Sequence, residues 1–218
     1  MFLKKIFFSN NFKNFTIIST LLFIFILINA LSYVSAISNN ISKSVFRLHV
    51  IANSNTDLDQ SLKYIVRDNV LSFINSTYSA NTKEELISSL DLNSIKDVAQ
   101  KAVYDNGFSY PVSVELGNFE FPTKTYGDIS LPAGFYDSLR IKIGNAEGKN
   151  WWCVMFPPLC FVDITSGIVP DSSKEFLQKS LDKEGFELIS GNSNEIKLKF
   201  KIVELFQNIS IELASLTK

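Results

Sequence analysis

The chain has 218 residues, with 21 basic and 22 acidic side chains, one histidine and a formal net charge of −1. Charge this evenly balanced, with no acidic or basic tail, gives no footing for a nucleic-acid partner. A hydrophobic share of 46% and an aromatic share of 13% argue against disorder and supply enough apolar surface for one domain with its own core.

The N-terminus carries the clearest physical signal. Lys4, Lys5 and Lys13 precede an apolar run from Phe15 to Leu31, interrupted only by Thr16, Ser19, Thr20 and Asn29. A positive flank stays inside while the apolar stretch enters the bilayer. Val34, Ser35 and Ala36 then offer the small or β-branched residues of a cleavage site, so residues 1–36 read as a secretory signal peptide cut after Ala36. The run also approaches the roughly 20 apolar residues that span a bilayer, so an uncleaved anchor is the alternative. Either way, Ser38 onward faces the outer side of the membrane. Residues 37–44 are polar and read as a flexible linker before a domain over 45–218.

Val45 to Ile51 alternates, with Val45, Arg47, His49 and Ile51 on one side and Phe46, Leu48 and Val50 on the other, and predicts a strand. A turn-rich loop over 52–57 leads to Thr56 or Asp57 as helix cap. Leu62, Ile65, Val66, Asn69, Val70, Phe73 and Ile74 follow helical spacing, with Lys63, Arg67 and Asp68 on the solvated side, and predict a helix over 59–75. Asn81 or Thr82 opens a second helix ending near Leu90. Asn93 or Ser94 opens a third, which Asn106 and Gly107 end. Strands are predicted over 110–119, 138–143 and 151–156, with 120–134 as a long irregular loop. A tight hairpin over 144–150 joins the last two strands, and Pro157 and Pro158 stop the return strand. Ser172 or Ser173 caps a helix ending near Gly185. Residues 195–202 alternate as a strand with a lysine face, and the tail from Val203 reads as a short helix. The sum is an α+β fold: a mostly antiparallel sheet with two to four helices in a single exported domain. The first strand is free to pair parallel with a later one, because helices intervene.

Catalytic templates mostly fail. The sequence has no GxSxG elbow, HExxH pair, phosphate-binding glycine loop or dinucleotide fingerprint. One histidine and two cysteines are poor material for a metal, so neither metal nor cofactor is expected. Cys153 as nucleophile with His49 as base is the one enzyme arrangement the residues offer, as in a cell-envelope hydrolase. An oxidising compartment permits a Cys153–Cys160 disulfide instead, which would remove the thiolate. Two buried free thiols are the third option. Between Asn118 and Asp163, nine aromatics crowd a Pro- and Gly-rich segment. Such side chains either fold inward as small cores or stand outward as anchors for a partner. The density of aromatics without catalytic groups points to recognition, and to no enzyme.

Several blocks resemble the stage II sporulation protein R family. They are residues 46–54 (FRLHVIANS), Lys63 with 66–71 (VRDNVL), 121–127 (FPTKTYG), 131–134 (LPAG), Leu139 and Arg140 with Ile143 and Gly144, and 148–163 (GKNWWCVMFPPLCFVD). The last block is long and unusual in composition. The resemblance implies a secreted signalling protein of endospore formers, exported into the space between forespore and mother-cell membranes. It implies a partner: a membrane-embedded aspartic protease of the stage II sporulation protein GA type, which processes the precursor of sigma-E. On that reading the membrane is met only through the N-terminal segment. The expected partner contacts are Arg47, His49, Tyr126, Arg140, Trp151 and Trp152.

Overall fold

The computed structural model describes residues 10–160 and 169–190. The strand over 195–202, the helix from Val203 and the loop carboxylate Asp163 lie outside the described residues. The chain divides into two compact units, Met1–Asn39 and Asn40–Lys218.

The first unit is built on helix α1 (Asn10–Ser44), whose residues 12–44 are long and apolar enough to cross a membrane. Phe15, Ile18, Phe23 and Phe25 stand exposed around it, a circumference that suits lipid and not water. Residues 37–44 are helix, not the flexible linker expected. Asn and Ser side chains suggested a coil, but Ser44 Oγ donates to the Asn40 carbonyl within the last turn, and Ile41 is fully buried.

The second unit has an α+β fold. Its elements are β1 (Phe46–Ile51), α2 (Asp57–Thr77), α3 (Lys83–Ser89), α4 (Leu92–Asp105), β2 (Val112–Phe121), β3 (Lys124–Tyr126), β4 (Ile129–Leu131), β5 (Gly134–Ile143), β6 (Asn150–Phe156), α5 (Asp171–Ser180) and α6 (Lys183–Ile189). Five helices among the described residues of this unit exceed the expected two to four. The extra one arises because Asp182 caps a new helix through Gly185 N where one helix ending near Gly185 was expected.

Capping sets the other boundaries. Thr56 accepts from Asp59 N to start α2. Thr82 accepts from Glu85 N while Glu85 takes the Asn81 amide, a reciprocal cap for α3. Asp91, not Asn93 or Ser94, caps α4, because its carboxylate reaches both the Asn93 amide and the Ser94 hydroxyl. Asn106 and Gly107 (φ 81°) end α4 as expected.

The main sheet has the order β2-β5-β1-β6. β1 pairs parallel with β5 and antiparallel with β6, and β2 pairs antiparallel with β5. The segment over 144–150 is therefore no hairpin: β1 lies between the two strands it joins. Gly144 (φ 58°) and Ala146 (φ 56°) turn the chain, and the connection spans the end of β1. The long loop over 120–134 contains a second small sheet, β3 with β4. Gly127 (φ 57°) makes its turn, and Pro122 and Pro132 flank the short strands.

Alternation along the strands divides the sheet into two faces. Phe46, Leu48 and Val50, with Leu139, Ile141, Ile143, Cys153 and Met155, join Leu62, Val66, Val70, Ile95, Ala99 and Val103 of α2 and α4 in the core. Arg47, His49, Tyr136, Ser138, Arg140 and Trp152 fall on the other face, by register. Both faces of β1 are buried, since Arg47 and Leu48 are alike at 0% exposure.

Candidate functional site

Five of the six expected contact residues come together on the sheet face opposite α2 and α4, together with the small β3–β4 sheet. Arg47, on the central strand, is the pivot. Its guanidinium lies 4.1 Å from the Phe121 ring centroid and 4.7 Å from that of Tyr136, and its Nη2 donates to the Tyr126 hydroxyl at 2.8 Å. That hydroxyl donates in turn to the Trp152 carbonyl at 3.2 Å. No carboxylate among the described residues pairs with Arg47; the ring faces hold the charge. Arg47 thereby fixes β3 against β6, although its own side chain reaches no surface.

His49 stacks on Trp152, with centroids 3.7 Å apart and planes 20° from parallel. Its Nε2–H donates to Asn150 Oδ1 at 2.9 Å. Burial lowers its imidazole to about 4, the Asn150 hydrogen bond offsetting part of this and the charges of Arg140, Arg47 and Lys142 adding to it. Arg140 lies 3.6 Å over the Phe119 ring and pairs with Glu115 at 2.6 Å. Lys142 shares the same carboxylate. Hydrogen bonds from Lys142 and Arg140 hold Glu115 below the usual carboxylate range, against the opposing effect of burial.

Trp151 departs from the group. Successive residues of a strand point to opposite faces, so it turns to the helix side. It meets Tyr64 edge to face at 5.3 Å and lies under Arg67 at 4.3 Å.

The Cys153–His49 nucleophile pair is not assembled. Cys153 is opposite Leu48 in register and His49 is opposite Trp152, so the two side chains leave opposite faces of the sheet. Cys153 is also joined to Cys160 in a disulfide, with Cα atoms 5.2 Å apart. This excludes thiolate chemistry at that position in this state.

Two arrangements escaped the sequence reading, although Tyr126, Trp151 and Trp152 of the second were expected as contacts. The first is a clamp between the loop over 52–56 and the loop over 144–149. Asn53 Oδ1 accepts from Asn145 N, and Asn55 Oδ1 accepts from Lys149 N. Gly148 N donates to Ala52 O and Glu147 N to Asn53 O. Burial opposes the charge of Asp59, but bonds from Ser54 and Asn53 outweigh it and hold the carboxyl below its usual range. Asn and Ser in a turn are read as turn formers, which conceals their long-range partners.

The second group lines a cleft of about 650 Å³ at the outer edge of β6, between α2 and β3. Lys63, Tyr64 and Arg67 come from α2, Lys124 and Tyr126 from β3, and Lys149, Trp151 and Trp152 from β6 and the turn before it. Lys63 is not on a solvated face as expected. It is 1% exposed, and its Nζ donates to Gln60 Oε1 at 2.7 Å and the Lys149 carbonyl at 3.1 Å. Burial, with Arg67 and Lys149 nearby, lowers its ammonium below the usual lysine value.

Protonation of His49 gives the fold a specific acid sensitivity. The native imidazole titrates lower than the unfolded one, so between pH 6.5 and about 4 the unfolded chain binds the extra proton. Stability is therefore full above pH 6.5 and falls as pH drops toward 4, by roughly 2–3 kcal/mol. Urea midpoints across that window should fall more steeply for the native chain than for His49→Gln. Equal slopes would count against the buried neutral imidazole.

An α+β domain carrying an aromatic-lined basic cleft beside an edge strand, with a membrane-length apolar helix before it, is the class these observations define. Residues 42–166 match the family model described as Stage II sporulation protein R (spore_II_R), and the chain belongs to that family. The match runs from the end of α1 past β6 and so takes in both the clamp and the cleft. Stage II sporulation protein R of Bacillus subtilis (strain 168) is 36% identical over 149 residues, 66% of this chain and 66% of that protein. No solved structure matches the chain. Family membership places the chain in sporulation, and helix α1 is compatible with a signal peptide or a membrane anchor.

Proposed function

We propose that this chain is an exported trigger: it acts between the forespore and mother-cell membranes and activates a membrane-embedded aspartic protease of the stage II sporulation protein GA type. That protease then processes the sigma-E precursor. The observation that carries the reading is the family match over residues 42–166, joined to an apolar N-terminal helix suited to a membrane. An oxidised Cys153 on the sheet face opposite His49 weighs against the hydrolase alternative.

The chemistry required is binding energy spent unequally on two states of a partner. An activator works only if it contacts the active state better than the inactive one. Reversing a 1:99 equilibrium to 99:1 takes a preference of about 5.5 kcal/mol. Tyr126, Arg140, Trp151 and Trp152 are partly exposed and form the proposed contact set. Arg47 and His49, both buried, act through the neighbours they hold.

The test is gene deletion followed by a blot for precursor cleavage during sporulation. The uncleaved precursor should accumulate, and reintroducing the chain should restore cleavage. Cleavage at the normal time in the deletion strain would refute the role.

A further inference from the structure

The cleft beside β6 has a charge distribution that the whole chain lacks. Acidic and basic residues nearly cancel over the sequence, yet Lys63, Arg67, Lys124 and Lys149 converge on this one cleft, and no Asp or Glu lines it among the described residues. Arg67 is paired with Asp68 at 2.7 Å, and Asp68 stands outside the lining. Lys63 is buried with only neutral oxygens as acceptors. The ammonium groups of Lys124 and Lys149 have no hydrogen-bond or ion-pair partner among the described residues. Lys63, Lys124 and Lys149, gathered with no counter-charge among the described residues, repel one another and raise the energy of the empty site, and an incoming carboxylate relieves that repulsion.

Trp151 and Trp152, which diverge to the two sides of β6, are among the other walls and give the cleft flat apolar surfaces beside its cations. Aromatic and arginine groups in a concave site are the common anchors of protein recognition. Two carbonyls on the outer backbone edge of β6 are already taken, which disfavours an added strand. Tyr126 caps the Trp152 carbonyl, and Leu159 N takes the Val154 carbonyl. Recognition through side chains is therefore favoured.

We infer that this cleft receives an acidic segment of a polypeptide partner, its carboxylates bound by Arg67, Lys124 and Lys149 over the buried charge of Lys63 and its apolar side chains laid against Trp151 and Trp152. The inference deepens the activator reading and, as the docking surface for the protease, rests on it. The chain's own lysine-rich stretch over 195–202 has the wrong charge to fill the site.

The chain's two tryptophans both line the cleft, so intrinsic fluorescence reports its occupancy. The full chain in detergent is titrated with hexaglutamate, with hexalysine and with phosphatidylglycerol vesicles. A saturable change with hexaglutamate alone is expected, weakening as salt rises. The double variant Lys124→Glu/Lys149→Glu changes two side chains that hold no hydrogen bond or ion pair among the described residues. It should melt at the native temperature, bind hexaglutamate at least about tenfold more weakly, and be secreted normally while leaving the sigma precursor uncleaved. No response to hexaglutamate, an undiminished response in the double variant, or a response to vesicles in place of peptide would each overturn the inference. So would normal precursor cleavage by the double variant. Failure of the activator reading would look different: the gene deletion would leave cleavage intact, whatever the fluorescence shows.

Discussion

Arg47→Ala is expected to destabilise the second unit by about 3 kcal/mol, read as a shift of the urea midpoint. Three losses add. The guanidinium leaves two aromatic faces, at 4.1 and 4.7 Å from their centroids. The Tyr126 hydroxyl loses its donor. A cavity the size of the largest fully buried side chain in the described chain opens in the sheet layer. One gain opposes them, because a buried charge without a carboxylate partner is expensive to desolvate. Arg47→Met separates these effects: it fills most of the volume without the charge and should cost about 1 kcal/mol or less. Arg47→Lys should not rescue, since an ammonium cannot lie flat between two rings as a guanidinium does. Tyr126 and Trp152 depend on Arg47 for their placement, so the alanine variant should also shift tryptophan emission in the folded state. A midpoint within experimental error of the native chain would show that the aromatic layer holds itself without Arg47.

Gly148→Ala is expected to destabilise the second unit strongly, because the added methyl group meets backbone. A Cβ at that position would sit 2.2 Å from the Ser54 carbonyl oxygen and 2.8 Å from Ala52 Cβ. The oxygen belongs to the backbone and cannot swing aside, so the two loops must separate and the Gly148–Ala52 bond must break. A loss of about 2–4 kcal/mol follows from overpacking plus the lost hydrogen bonds. Gly107→Ala is the control. Nothing lies within 4 Å of its Cβ position, and only its φ of 81° resists substitution, so about 1 kcal/mol is expected. Because Lys149 and Asn150 continue directly from the clamp into β6, the variant at 148 should also disturb the cleft. Equal melting temperatures for the two variants would refute the close approach.

The sequence reading reached what is local and periodic. Alternation at residues 45–51 and helical spacing at 62–74 located β1 and α2, and glycine at 107 marked the end of α4. Parallel pairing of the first strand was admitted, because intervening helices permit a crossover. Adjacency misled it at 144–150: two strands in succession suggest a hairpin, and nothing local says that β1 enters between them. Proline and glycine over 120–134 hid β3 and β4, whose three-residue strands are too short for periodicity to register.

The candidate site was legible as composition and not as arrangement. Tryptophan and arginine drew attention to Arg47, Trp151 and Trp152, but burial turned Arg47 from a contact into a support, and strand alternation sent Trp151 to the opposite face. Lys63 and Arg67 were assigned to solvent by their helical phase. The cleft exists because α2 crosses near the edge of β6, a tertiary fact that no spacing encodes.

The position of β1 between β5 and β6 has a consequence for how the chain reaches its native state. The first strand to leave a ribosome or a translocation pore has no neighbour until residues 134–156 follow it. Its hydrogen-bonding edges stay unsatisfied while the 82 residues between Ile51 and Gly134 emerge, with only the intervening helices available to shield its apolar side. Assembly of the sheet is therefore a late, long-range closure, slow by the ordinary dependence of folding rate on sequence separation. During that interval the nascent segment is vulnerable to mispairing with other chains, and a holding chaperone would have its greatest effect then.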